Sequence, residues 1–169
     1  KERPDLVLKF EKEKLEIELS RNLIATSSEI VASGGHPDLY IPFCFRFLNL
    51  LSEKNGLAGV VLPRSSLYAK GSAQFRRTLF KSIKYINLCL LENTKQWVFD
   101  IDPRYTICLT SFSKSSNNKE GLKIQGPFNS LSSFKEKNSD VANVFEMDEV
   151  FNWNDTVSIP LFPKTESAK

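Results

Sequence analysis

Leu57-Ala58-Gly59-Val60-Val61-Leu62-Pro63, LAGVVLP, is the stretch on which the fold turns. An unbroken apolar run ended by a proline, which cannot donate to a ladder, reads as a strand buried on both faces, the kind that parallel sheets make. Asn55-Gly56 supplies the turn ahead of it. Upstream, Leu39, Phe43, Phe47 and Leu51 recur at every fourth position, with Tyr40, Cys44 and Leu48 on the adjoining stripe. That spacing predicts a helix from Asp38 with a broad apolar face, Asp38 as its cap and Pro42 tolerated only within the first turn. Downstream, Gly71-Ser72 opens a second amphipathic helix that turns Phe75, Leu79, Phe80 and Ile83 inward and Arg76, Arg77, Lys81 and Lys84 outward. Tyr85 to Leu91 and Tyr105 to Phe112 are two more strand candidates, joined by the turn-rich loop ENTKQWVFDIDPR at 92–104. Helix, strand, helix, strand, strand is the tail of an α/β fold whose last pair runs antiparallel.

The flanks carry weaker signals. A helix fits loosely over Glu11 to Ser28, and Ser33-Gly34-Gly35-His36-Pro37 breaks the chain, with His36 read as a turn residue. KSSNNKEG, from Lys114, reads as a turn or linker, and the remainder reads as an irregular extension whose apolar clusters (Phe128, Phe134, Val144-Phe145, Val150-Phe151) patch the surface. Three segments result: 1–37 helical or irregular, 38–114 the α/β core, and 115–169 leading out of it.

At 169 residues, 41% hydrophobic and 25% charged, the chain has the makings of one folded domain, with no apolar run long enough for a membrane span and no secretory signal. Cys44, Cys89 and Cys108 lie apart within apolar runs, and there is a single histidine, which argues against zinc and for reduced, buried thiols in the cytoplasm. A net charge of +3 allows a polyanionic partner without arguing for one.

The ordered set of motifs goes further. DLYIPFCFRFLNLLSEKNGLAGVVLPRSSLYAKGSAQFRRTLF (38–80), then YINLCLLENTKQWVFDIDPRYTICLTSFSK (85–114), resembles the post-catalytic half of adenine-specific (amino-group) DNA methyltransferases of restriction-modification systems. In that family a (D/N)LYxxF helix leads to a strand ending in proline, then to a G…(L/F)R..L helix and an (E)N…(I/V)F….RYT..L hairpin. The tail FNWNDTVSIPLFPKTESAK (151–169) resembles more loosely the segment that leaves the core in large fused enzymes. The resemblance implies part of a Rossmann-like, S-adenosylmethionine-dependent fold, with a mostly parallel sheet and an antiparallel terminal hairpin.

It also implies roles. Phe99, with Trp97 beside it, matches the aromatic position that stacks on a target adenine swung out of the duplex; the plainer alternative is that both plug the hairpin into the core. Phe43 matches the aromatic beside the adenine ring of S-adenosylmethionine, with Tyr40 a turn earlier, although Phe43 also lies on the core stripe. Arg64 and Ser65 follow the buried strand at the edge where open α/β sheets bind ligands, and would meet DNA or rim the site. Arg76, Arg77, Lys81 and Lys84 would position double-stranded DNA through its phosphates, where the plainer reading is a solvated face.

Two motifs of the family are missing from these residues: the glycine-rich loop that holds the methyl donor and the (N/D/S)PP(Y/F/W) tetrapeptide that orients the adenine amino group. The expectation is therefore a fragment or subunit that is inactive alone, completed by an N-terminal half or partner subunit, with an unpaired strand edge that favours association, including with itself. The alternatives are a non-catalytic DNA-binding module and a plain α/β interaction domain.

Overall fold

The computed structural model describes residues 3–26, 38–115, 121–137 and 143–160. The predicted break at 33–37 and most of the KSSNNKEG turn lie outside them, as does the tail beyond Pro160. The elements run α1 (Pro4–Thr26), α2 (Tyr40–Leu50), β1 (Leu57–Pro63), α3 (Ser65–Tyr68), α4 (Ala73–Ser82), β2 (Tyr85–Glu92), β3 (Thr106–Ser113), β4 (Gly121–Phe128), α5 (Leu131–Lys137), β5 (Asn143–Phe145) and α6 (Met147–Asn152).

One five-stranded mixed sheet, ordered β1-β3-β2-β4-β5, organises the chain. β3 lies antiparallel to both β1 and β2, from Leu57 opposite Ser113 to Pro63 opposite Ile107 on one side and from Tyr85 opposite Ser113 to Glu92 opposite Thr106 on the other. β1 and β2 therefore point the same way without touching. β4 adds to the far side of β2 in parallel, and β5 pairs antiparallel with β4. The fold is α/β as expected, but the described sheet is mostly antiparallel, with β2–β4 its one parallel pair.

The main core lies on the sheet face covered by α2 and α4. Ile41, Cys44, Phe45 and Leu48, at the i, i+3, i+4, i+7 spacing of one helix face, are buried together with Phe75, Leu79 and Phe80 of α4 and Ile86, Leu88, Leu90, Cys108 and Phe112 of the strands. Each leucine, isoleucine and phenylalanine among them contributes about 1.5–3 kcal/mol when withdrawn from water. The buried stripe of α2 is thus not the one the four-residue spacing suggested: Leu39 and Phe43 are exposed at 65% and 57%. Nearly every residue from 39 to 51 is apolar, so sequence alone admits two faces, and docking on the sheet selects between them. Nor does Asp38 cap with its side chain; its backbone carbonyl accepts from Ile41 N at 3.0 Å. Pro42 does fall in the first turn, where its missing donor costs nothing.

Two further expectations are corrected. LAGVVLP is an edge strand, paired with β3 alone among the described residues, with Leu57 and Val61 more than half exposed and only Leu62 buried. Its outward residues Leu57, Gly59 and Val61 share the second sheet face, which α5 covers only in part: Phe134 packs near Cys89, Leu91, Ile107 and Phe128, leaving an open trough of about 380 Å³ beside β1. Residues 121–160, in turn, do not lead out of the core. They supply β4, α5, β5 and α6, and Val150, Val157 and Ile159 are buried in the main cluster. The glycines and proline of GLKIQGPF hid β4 from a pattern reading, because Gly121 and Gly126 sit at φ +114° and +87°, conformations glycine adopts freely.

Candidate functional site

Because β1 and β2 point the same way and β3 returns between them, the chain leaves β1 at Arg64, leaves β2 at Asn93 and enters β3 from Tyr105 along one edge of the sheet. Two backbone hydrogen bonds join these segments, Arg64 N to Thr106 O and Asn93 N to Tyr105 O, both 3.1 Å. The loop from β2 to β3 is built around the Asn93 side chain, which is fully buried. Its Nδ2 donates to Phe99 O at 2.9 Å and to Ile101 O at 3.4 Å, while its Oδ1 accepts from Val98 N at 3.2 Å and Phe99 N at 3.1 Å. One amide thereby satisfies backbone groups that a loop of this shape would otherwise leave unpaired. Lys95 and Gln96 take left-handed conformations in the turn, and Gln96 Nε2 donates to Ile101 O at 3.0 Å. At the tip, the Arg104 guanidinium beside Asp102 holds that carboxyl down to about 2.

The loop separates its two aromatic residues. Trp97 turns inward, donating Nε1–H to Glu92 O at 2.7 Å and packing against Phe134 at 6.4 Å between ring centroids. It is the plug of the second core. Phe99 is 44% exposed, and Ile101 and Tyr105 are exposed in the same segment. At the exit of β1, the Arg64 guanidinium lies 4.5 Å from the centroid of the exposed Tyr68 ring, in cation–π contact. Arg64 and Ser65 are both half-buried.

On α2, Tyr40 leans into the body. Its hydroxyl is 3.1 Å from Ser72 Oγ and its ring meets Phe75 edge to face, and burial pushes the phenol above its usual range. Phe43 instead stacks on Phe47 at 6.3 Å with most of its ring in water.

The expected cationic face of α4 is corrected. Arg76 is fully buried, and its guanidinium donates to Thr156 O through Nε and Nη2, to Val157 O at 2.9 Å, to Ser66 O at 2.9 Å and to Ala69 O at 3.0 Å. Burial pulls it down to about 10, so it stays protonated at neutral pH. Arg77 is half-buried and donates to Asp155 O. Both arginines therefore fasten the 154–159 segment to α4, and Arg76 also joins it to α3 and the residue after it, where Ile159 N donates to Leu67 O at 2.9 Å. An arginine fork can satisfy several carbonyls at once, which a helical-wheel reading cannot foresee. Lys81 and Lys84 remain exposed but border a cavity of about 560 Å³ shared with Glu146 and Asp148. Lys81 ends α4 and Lys84 directly precedes β2, roughly 26 Å along that strand from the loop that carries Phe99, so the two groups do not form one site.

The edge holding Arg64, Tyr68, Phe99 and Tyr105 offers flat aromatic surfaces and a cation, which suits holding a planar ring or a phosphate rather than attacking one. The three thiols sit elsewhere, buried, with Cys44 and Cys108 pushed up to about 12 and Cys89 to about 11. Among the described residues no group of three or more His, Cys, Asp or Glu is placed to hold a metal ion, and no helix is long and apolar enough to cross a membrane. Asn93 was not singled out in the sequence, although the Glu92-Asn93 pair stood inside the hairpin motif. No family model matches the chain, and no curated protein matches its sequence.

Proposed function

We propose that this chain is the C-terminal half of the catalytic domain of an adenine-specific DNA methyltransferase of a restriction-modification system, acting in the cytoplasm, and that it forms one wall of the site without transferring methyl groups alone. The observation that carries the reading is β3, inserted antiparallel between β1 and β2, with half-exposed Phe99 held by Asn93 in the loop at the carboxyl end of β2. An accidental likeness in sequence would not require that order. Among the described residues no strand pairs with the outer edge of β1, which supports it as well, since the parallel part of a Rossmann-like sheet would add there, supplied by an N-terminal half or a partner subunit.

On this reading Phe99 stacks on an adenine swung out of double-stranded DNA, restoring roughly 1–3 kcal/mol of the stacking it lost. Asn93 fixes the backbone that presents Phe99, and Arg64 with Ser65 contacts a flanking phosphate. Phe43 offers its exposed ring to the adenine of S-adenosylmethionine, the group that supplies the methyl when bound. The missing glycine-rich loop and NPPY-type tetrapeptide would come from the completing polypeptide. Without the tetrapeptide's acceptors, the adenine nitrogen is neither oriented nor activated.

The test is methyl transfer from labelled S-adenosylmethionine to duplex DNA, with the chain alone and with a polypeptide carrying the two missing motifs. The reading expects no turnover alone, adenine methylation on reconstitution, and a loss of at least tenfold in Phe99→Ala. Turnover by the isolated chain would refute it. Salt-sensitive DNA binding indifferent to the donor and to Phe99 would identify a binding module instead.

A further inference from the structure

Phe99 has a companion on its loop that the proposed site leaves unused. Ile101 is exposed to the same extent, 44%, and its backbone is as firmly held. Its N–H donates to Phe99 O at 2.9 Å, closing a three-residue turn over Asp100, and its carbonyl accepts from Gln96 Nε2 at 3.0 Å and from Asn93 Nδ2 at 3.4 Å. An isoleucine alone on a surface is ordinary. This one is fixed at both backbone polar groups, two residues from an exposed aromatic. The Asn93 amide donates to Phe99 O and to Ile101 O, so the loop presents the two side chains together.

We propose that Ile101 is the wedge that enters the duplex as the target adenine leaves it, filling the gap between the neighbouring base pairs while Phe99 receives the base. This role presupposes the one proposed for Phe99. A base swung out leaves a slot whose walls have lost their stacking partner, and proteins that distort a duplex fill such slots with apolar side chains, isoleucine among them. The slot disfavours polar atoms, which would lose their water there. Tyr105, the other large exposed side chain of this segment, carries a hydroxyl, whereas Ile101 has no polar atom. Its branched Cβ restricts χ1, so insertion costs little rotamer freedom. Nor does the loop carry a net charge that phosphate would repel. Over 93–105 Lys95 and Arg104 balance Asp100 and Asp102, with Asp102 bound to Arg104 at 2.6 Å and Asp100 Oδ1 accepting from Gln96 Nε2 at 3.3 Å.

The chain reconstituted with a polypeptide carrying the two missing motifs serves for the test. Its methylation of duplex DNA locates the target adenine, and short duplexes then place that adenine opposite thymine or opposite a pyrene nucleotide, whose broad ring fills the slot without help from the protein. On the thymine duplex Ile101→Ala should lower adenine methylation by roughly tenfold or more, and Ile101→Leu by much less. On the pyrene duplex Ile101→Ala should come within about threefold of the unsubstituted chain, a restoration that also shows the variant to be folded and assembled. Full activity of Ile101→Ala on the thymine duplex, or equal impairment on both duplexes, overturns the wedge and leaves the role of Phe99 standing. A reconstituted pair that methylates no adenine, or is indifferent to Phe99→Ala, overturns the role of the whole loop, and the wedge falls with it.

Discussion

Replacing Arg76 with alanine should be among the most damaging single changes in this protein. The substitution strips the donor from four carbonyls at once, those of Ser66, Ala69, Thr156 and Val157, and leaves a void where a fully buried side chain stood. An unsatisfied buried carbonyl costs about 1–3 kcal/mol, but the four are not additive, since Thr156 O is partly buried and water will reach it. Two or three carbonyls left without a donor, together with the lost packing of the side chain, are expected to cost about 3–5 kcal/mol. For a chain of this size it corresponds to a fall in Tm on the order of 10 °C. Urea titration reads it as a lower midpoint with an unchanged slope. Limited proteolysis reads it independently, since the segment after Trp153 should become the first to be cut. Arg76→Lys should fall between the two, because one ammonium reaches only some of those acceptors. A loss below about 1 kcal/mol in Arg76→Ala, with the 154–159 segment still protected, would refute the role assigned to this side chain.

The two loop aromatics should respond in opposite ways. Trp97→Ala should lower stability by about 2–4 kcal/mol through the lost second-core packing, while Phe99→Ala should change it by less than about 1, both measured by urea titration. The thiols should make the fold sensitive to alkali. Their pKa values are raised from an ordinary 9.0 to about 11 or 12, so the unfolded chain sheds protons first and stability falls as pH rises through and above 9, a loss that Cys→Ala variants should lessen. At pH 8 an alkylating reagent should label these buried cysteines only after denaturant is added. Gly126→Ala should cost about 2 kcal/mol or more in the same titration, because the backbone is at φ +87° and the new Cβ would lie 2.4 Å from Leu90 O.

Much of the core was legible in the sequence. The strands at 57–63, 85–92 and 106–113 and the helix at 73–82 stand where their apolar runs predict them, since each must bury its own pattern locally. Long-range arrangement was not legible. Leu57 to Leu62 looks buried on both faces because only composition is visible there, whereas exposure depends on which strands come alongside. Arg76 looks outward on a helical wheel because the carbonyls it serves lie about 80 residues away. Phe99 and Arg64, singled out by motif and by position at a strand end, follow the carboxyl ends of β2 and β1, Phe99 in the loop to β3 and Arg64 directly after Pro63. Asn93 was overlooked because a buried amide that organises a loop carries no periodic signature.

The rim of β1 bears on how the polypeptide behaves when it is made. LAGVVLP contains no lysine, glutamate or other charge to deter a foreign strand, and among the described residues no strand pairs with its outer edge. Such a ribbon is a template for cross-β stacking, so synthesis at high level without its complement should send the protein into inclusion bodies. A lysine placed at Gly59, where an added side chain meets only open space, should act as a gatekeeper and keep it in the supernatant.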